Sequence, residues 1–268
     1  MLGPRLGGRH AKPKLPLMVR LVLEFLRREL AEGGMVSCAC PARDLGEVFR
    51  LDAKAEGDTV AIGGWRSAAG AKAKEADWFS ISLTRKTAPW AFAKGEPFRA
   101  IAALELLAAL VGLMVLVPVS APQGESSAVL TLSCGTDNQG NSFLLDRMLT
   151  TKYPLGVVLM ELAHQMRIRR LVLRAHWLPR DENEEADALT NIDFRHFDPN
   201  RRIPVDLASI EFGVLNQLFE AGEAYTKELE AAREKAKAAK LLEEQGRMAG
   251  PTKRRKRAGD SLREKQPW

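Results

Sequence analysis

Four carboxylic acids occupy positions that solvation of an ordinary surface does not explain. Asp52 closes the run Val48-Phe49-Arg50-Leu51 at a strand end just before a turn, a place that suits a turn-forming aspartate as well as a ligand. Glu105 lies in the long apolar segment 98–117, and its neighbours three and four positions away are Ile101, Ala102, Ala108 and Ala109, so its carboxylate emerges from an apolar helical face. A buried, unpaired charge is costly there, so either a cation faces it or the group keeps its proton. Asp137 follows the apolar run 128–134 within Thr136-Asp137-Asn138-Gln139-Gly140, where it serves as a cap or turn residue or as a ligand delivered to the rim of a sheet. Asp187 lies one turn beyond Asn183; the helix dipole accounts for Glu184 and Glu185 in the first turn but not for Asp187. Brought to one sheet edge, the four suit hard divalent cations, magnesium or manganese, and their charges offset two such ions. Two ions about 4 Å apart activate a water and stabilise the leaving oxygen in phosphodiester cleavage. Without metal, the same four charges repel one another.

The elements that must position these acids are legible from periodicity. Residues 16–31 repeat apolar positions at helical spacing and stop at Gly33-Gly34, which predicts an amphipathic helix in need of a partner surface. Residues 48–53, 59–65 and 78–83 are short runs bounded by turns and predict three consecutive strands in a meander. The segment 98–117 predicts a long apolar helix, 128–134 a buried strand, 141–149 and 155–166 helices, 169–175 another strand, and 183–190 a short last helix. Strands separated by helices in this half imply parallel pairing. The stretch 45–195 therefore predicts an α/β domain with a mixed sheet. Residues 200–219 have no clear period, and 220–247, rich in Ala, Glu and Lys, predict a solvated helix.

With 46% hydrophobic and 28% charged residues over 268 positions, the chain has the apolar mass for a real core, which excludes collagen-like and wholly disordered classes. Its net charge of +6 is uneven: residues 1–20 carry five Lys/Arg and no acid, residues 227–268 carry thirteen basic and seven acidic side chains, and −5 is left for residues 21–226. A polyanion is therefore met at the ends, above all at Lys253, Arg254, Arg255, Lys256 and Arg257, a run that reads equally as a nuclear import signal or a solvated tail. Cys38, Cys40 and Cys134 lack zinc-site spacing and read as reduced intracellular thiols. Residues 1–15 are basic without an apolar signal core, so secretion is not expected. The uninterrupted apolar run 106–117 is only twelve residues, which favours a helix packed on a sheet over a membrane span.

Taken in order, the motifs resemble a known family. Asp52 on the first strand, Gly63-Gly64-Trp65 on the second, Arg99 with Glu105-Leu106-Leu107 on the long helix, and Thr136-Asp137-Asn138 after the fourth strand form its first part. The specific part is the last block, His176-Trp177-Leu178-Pro179-Arg180 with Asn183, Ala186-Asp187-Ala188-Leu189-Thr190. Over residues 45–195 this order resembles the ribonuclease H domain of retroelement reverse transcriptases.

That resemblance implies a five-stranded mixed sheet, three antiparallel strands then two parallel, flanked by helices. It implies two Mg2+ or Mn2+ ions held by Asp52, Glu105, Asp137 and Asp187, with Asn183 bracing the loop and helix that carry Asp187. His176 stands where relatives keep a histidine that assists proton transfer or product release; a strand-end histidine packed by Trp177 is the other reading. The implied activity is endonucleolytic cleavage of the RNA strand of RNA/DNA hybrids, with contacts to 2′-hydroxyls from backbone groups near Gly63 and Gly64 and from Asn138, and with Asn183 also among the nucleic-acid-binding residues. The alternative is a catalytically inactive or domesticated nucleic-acid-binding module. Exonucleases of the four-acid type usually carry Asp-x-Glu on the first strand, which Asp52-Ala53-Lys54 lacks, and integrase-like enzymes fit less well. The expected organisation is a basic N-terminus and helix over 1–44 as a polymerase connection remnant, the ribonuclease H-like domain over 45–195, an appendage and charged helix over 196–249, and a basic disordered tail over 250–268. No Tyr-x-Asp-Asp polymerase signature occurs, so a reverse transcriptase polymerase domain is expected as a partner rather than within this chain. Neither a membrane nor a small-molecule substrate is expected, and the basic run points to the nucleus, with the cytoplasm as the other location.

Overall fold

The computed structural model describes residues 15, 17–32, 43–68, 70–93, 95–117, 130–150 and 152–248. The basic run 253–257, Cys38 and Cys40 lie outside them. The chain divides into two compact units, residues 1–223 and 224–268; the described part of the second, 224–248, is helical.

Five strands form one sheet in the order β3-β2-β1-β4-β5. Strands β1 (Arg43–Glu56), β2 (Thr59–Trp65) and β3 (Trp78–Leu83) make an antiparallel meander. Strands β4 (Leu130–Thr136) and β5 (Leu171–Trp177) run parallel to β1. This is the five-stranded mixed arrangement, three antiparallel strands then two parallel, that the sequence resemblance implies. The hairpin β1–β2 closes on Gly57-Asp58, with Gly57 at φ +57°, a backbone that a two-residue loop needs and glycine adopts without strain. Strand β1 begins five residues earlier than the apolar pattern predicts, because its first half carries polar residues and register shifts between Asp44 and Phe49.

Helices flank the sheet. Along β1 the residues alternate: Phe49, Leu51 and Ala53 enter the main core, while Asp52 and Lys54 reach Thr190 and Asn191 at the end of helix α6 (Glu184–Thr190). The main core is sealed by α3 (Ile101–Val115), preceded by a short α2 (Pro89–Phe92), and by α4 (Gln139–Arg147) and α5 (Leu155–Ile168). The segment leading into and including α3, Pro97–Val115, is long and apolar enough to cross a membrane by composition, yet 67% of it is buried inside the domain. Its hydrophobicity serves the core, as the short uninterrupted run predicts.

Glycine at position 112 lets α3 lie directly on the sheet. A Cβ there would meet the fully buried Phe49 ring at 2.8 Å. Seven residues of helix and three of strand both span about 10 Å. With Gly112 seated on Phe49, Glu105, two turns earlier on the same helix face, reaches the β1 backbone at Ala53 and so comes within ligand distance of the neighbouring Asp52 carboxylate.

Helix α1 (Leu17–Glu32) finds its partner surface on α5. Phe25 is buried against His164, and Glu29 accepts hydrogen bonds from Arg167 and bonds His164 Nδ1 at 2.9 Å. Burial pushes the Glu29 carboxyl up, but the bonds from Arg167 and His164 outweigh it and hold the group below its ordinary value. Helix α7 (Leu215–Met248) starts five residues before the position that its composition suggests. The cause is Glu161, fully buried on α5, whose carboxylate accepts from the backbone N–H groups of Gly213, Val214 and Leu215 at 3.0, 2.7 and 3.0 Å and from Gln165 Nε2 at 2.8 Å. A carboxylate supplied from another helix thus caps the α7 N-terminus.

Candidate metal centre

Asp52 lies inside β1, paired with Gly63 and four residues before the strand's end rather than at the turn that the sequence predicts, because the β1–β2 hairpin continues to Glu56; it is β4 that ends beside it. The parallel register of β1 and β4 pairs Arg50 with Gly135, which sets Asp52, two residues on, level with Asp137 just past the end of β4. Glu105 descends from α3 onto the same spot. The ligand oxygens of Asp52, Glu105 and Asp137 all lie within 4.8 Å of one another.

Each carboxylate is held by a donor from a different element. Thr190 Oγ1 donates to Asp52 Oδ2 at 2.6 Å, and Thr136 Oγ1 donates to Glu105 Oε2 at 3.4 Å. Arg180 Nε donates to Asp137 Oδ2 at 3.2 Å. Among the described residues, that exposed guanidinium is the cation bonded to the trio; Asp52 and Glu105, both buried, have hydroxyl and backbone partners. Burial first, then the charges of Asp137 and Asp187, push the Asp52 carboxyl up to about 6. Burial, Asp52 and Asp137 push Glu105 well above its ordinary range. Two buried carboxyls that resist ionisation in each other's company, with a third within ligand distance, fit the donor set of a hard divalent cation.

Asp187 stands outside this group. It lies one turn before Thr190 on α6, and its charge is felt at Asp52, but its Oδ2 accepts from Asn191 Nδ2 at 2.8 Å. Asn183 is buried and donates from Nδ2 to the Leu51 carbonyl at 3.0 Å, tying the loop ahead of α6 to β1 one residue before Asp52. Asn138 caps α4, its Oδ1 accepting from Asn141 N at 3.1 Å.

Gly63 and Gly64 are buried rather than presented at a surface. A Cβ on Gly63 would meet Leu189 Cβ at 2.8 Å and one on Gly64 the Phe79 ring at 2.9 Å, so both are glycine because α6 and β3 approach closely. His176, paired with Gly135 on β5, is bound through Nε2 to Glu47 Oε2 at 2.8 Å rather than to any of the four acids. The same Glu47 carboxylate accepts from Arg50 Nε at 2.8 Å and Ser67 Oγ at 2.5 Å. Burial raises Glu47, yet the bonds from Ser67 and Arg50 bring it below its ordinary value. Sequence reasoning misses Glu47, whose partners lie on distant elements; a glutamate amid the polar start of a strand gives no local signal.

No family model matches the sequence, and no curated protein matches it. Solved structures similar to the chain are ribonuclease H domains. One is ribonuclease H1 from the halophilic archaeon Halobacterium salinarum NRC-1, at 17% identity over 56% of this chain and 97% of that one, with a TM-score of 0.35. Another is the N-terminal ribonuclease H domain of a Mycobacterium tuberculosis protein, solved as a fusion with maltose-binding protein, at 18% identity over 56% and 93% of the two chains, with a TM-score of 0.32. The strand order and the acidic cluster of the chain itself, rather than these overlaps, define it as a mixed α/β domain with a candidate metal centre where β4 ends beside Asp52 of β1.

Proposed function

We propose that this chain is a metal-dependent endonuclease that hydrolyses the RNA strand of RNA/DNA hybrids, leaving a 5′ phosphate and a 3′ hydroxyl, and that it derives from a retroelement reverse transcriptase. The observation that carries the reading is the convergence of Asp52, Glu105 and Asp137, from a strand, a helix and a strand end, to within 4.8 Å. Asp187 completes the acidic set from α6. Bound magnesium or manganese, two ions in the full set, supplies the charge that activates a water and stabilises the leaving oxygen. The chain's part is to hold the acids: Thr190, Thr136 and Asn183 fix their carriers, and α3 and α6 close the site from the two faces of the sheet. With Gly63 and Gly64 buried, recognition of 2′-hydroxyls falls to exposed groups around the acidic edge. The basic residues 253–257 add affinity that weakens with salt.

A catalytically inactive nucleic-acid-binding module is the second reading. It is favoured by two contacts that engage needed carboxylates, Arg180 on Asp137 and Asn191 on Asp187. A hybrid labelled on either strand separates the two. The nuclease reading expects Mg2+-dependent cuts in the RNA strand alone, abolished by EDTA and by Asp137→Asn. An RNA strand that stays intact, with the hybrid still bound, establishes the inactive module instead.

A further inference from the structure

We propose that Trp177 forms a stacking subsite beside the acidic centre, against which a base or sugar of the bound strand lies while the adjoining phosphodiester meets the carboxylates. This assignment rests on the nuclease reading above. Trp177 closes β5, level with Thr136 at the end of β4, so it stands beside Asp137 at the edge where the acids gather. Its indole N–H donates to the Asp137 carbonyl at 3.0 Å, which fixes one edge of the ring on the residue that bears a ligand carboxylate.

About half of the residue faces water. Trp177 is 49% exposed, whereas Trp65, Trp78 and Trp90 are at most 5% exposed in the cores. Three residues on, the Arg180 guanidinium lies on the other side of the same aspartate, bonded to Oδ2 and exposed to solvent. Asp137 is thus held through its main chain by an aromatic ring and through its side chain by a cation.

Electrostatics explains why an aromatic suits this position. The acidic edge repels a phosphodiester strand, and a flexible cation placed there is drawn onto the carboxylates, as Arg180 is. A π face attracts a base or sugar without adding charge, and it tolerates any sequence because every base has a face to stack. The pinned ring also loses little freedom on binding.

The test separates the ring face from the indole N–H. Binding of a fluorescein-labelled RNA/DNA hybrid is followed by anisotropy in EDTA, where metal-dependent cleavage is silent, and kcat and KM are then measured with Mg2+. Stacking is worth about 1–3 kcal/mol per base, so Trp177→Ala is expected to weaken binding by about 5- to 150-fold and to raise KM. Trp177→Leu, which keeps the bulk without a π face, should behave like Trp177→Ala, whereas Trp177→Phe should stay within a few-fold of wild type. Equal losses for Phe and Ala would show that the residue serves only to hold Asp137, and wild-type binding by Ala would remove the subsite; either overturns the proposal. Wild type that cleaves the hybrid as well as Trp177→Ala does removes the subsite alone. Wild type that neither binds nor cleaves hybrids removes the nuclease reading, and the subsite with it.

Discussion

Replacing Asp52 by asparagine should stabilise the metal-free protein at neutral pH, the reverse of the usual result for a buried, hydrogen-bonded residue. The carboxyl is raised from 3.8 to about 6 by burial and by Asp137 and Asp187. The folded state therefore holds this proton more tightly than the unfolded chain does. As pH rises from about 4 to about 6 the unfolded chain loses the proton first, stability falls, and above 6 the full penalty is present. The difference corresponds to about 3 kcal/mol. An asparagine keeps an acceptor for Thr190 Oγ1 but brings two amide hydrogens to a confined site, which offsets about 1 kcal/mol. A net gain of about 2 kcal/mol remains, a rise in Tm of roughly 4–8 °C for a unit of this size. Denaturant unfolding followed by tryptophan fluorescence, in EDTA at pH 7.5 and at pH 4, measures it. The gain should appear at pH 7.5 and vanish at pH 4, where wild type already carries the proton. A variant that is destabilised equally at both values would refute the electrostatic account of this cluster.

Other perturbations probe the remaining supports. Gly112→Val should cost about 1–3 kcal/mol and reduce hybrid cleavage, because the added side chain drives α3 off the Phe49 ring and moves Glu105 away from Asp52; unchanged stability in a urea melt would contradict that geometry. Glu161→Gln should cost about 3 kcal/mol or more, since three backbone N–H groups and Gln165 lose a buried carboxylate, and a melt with the wild-type midpoint would refute the capping role. Stabilisation by Mg2+ should fade as pH falls through about 6, where Asp52 takes up a proton that competes with metal, and a metal-induced Tm shift unchanged at pH 5 would count against this site.

Much of the fold was legible because each element carries its own period. Strands β2 and β3 fall where the apolar runs place them, and α3 could be told from a membrane span by the shortness of its uninterrupted stretch. The acids were legible for a different reason: Glu105 contradicts its apolar helical face, and a contradiction of that kind needs a partner elsewhere. Asp52 and Asp137 gave no such local signal and stood as turn or cap residues until the parallel register brought them level. What stayed hidden depends on partners far away in sequence. Glu161 gives α7 its start from another helix, Glu47 draws His176 away from the four acids, and Leu189 and Phe79 decide that Gly63 and Gly64 are packing residues. No window of neighbouring residues contains those facts.

The central claim is that Asp52, Glu105 and Asp137 form one divalent-cation site. Titration of the metal-free protein with Mn2+, followed by electron paramagnetic resonance of the free ion at pH 7.5, tests it most directly. Saturable binding that Glu105→Gln abolishes or weakens at least tenfold is the expected result. Binding that never saturates in wild type, or that Glu105→Gln leaves unchanged, would contradict the claim.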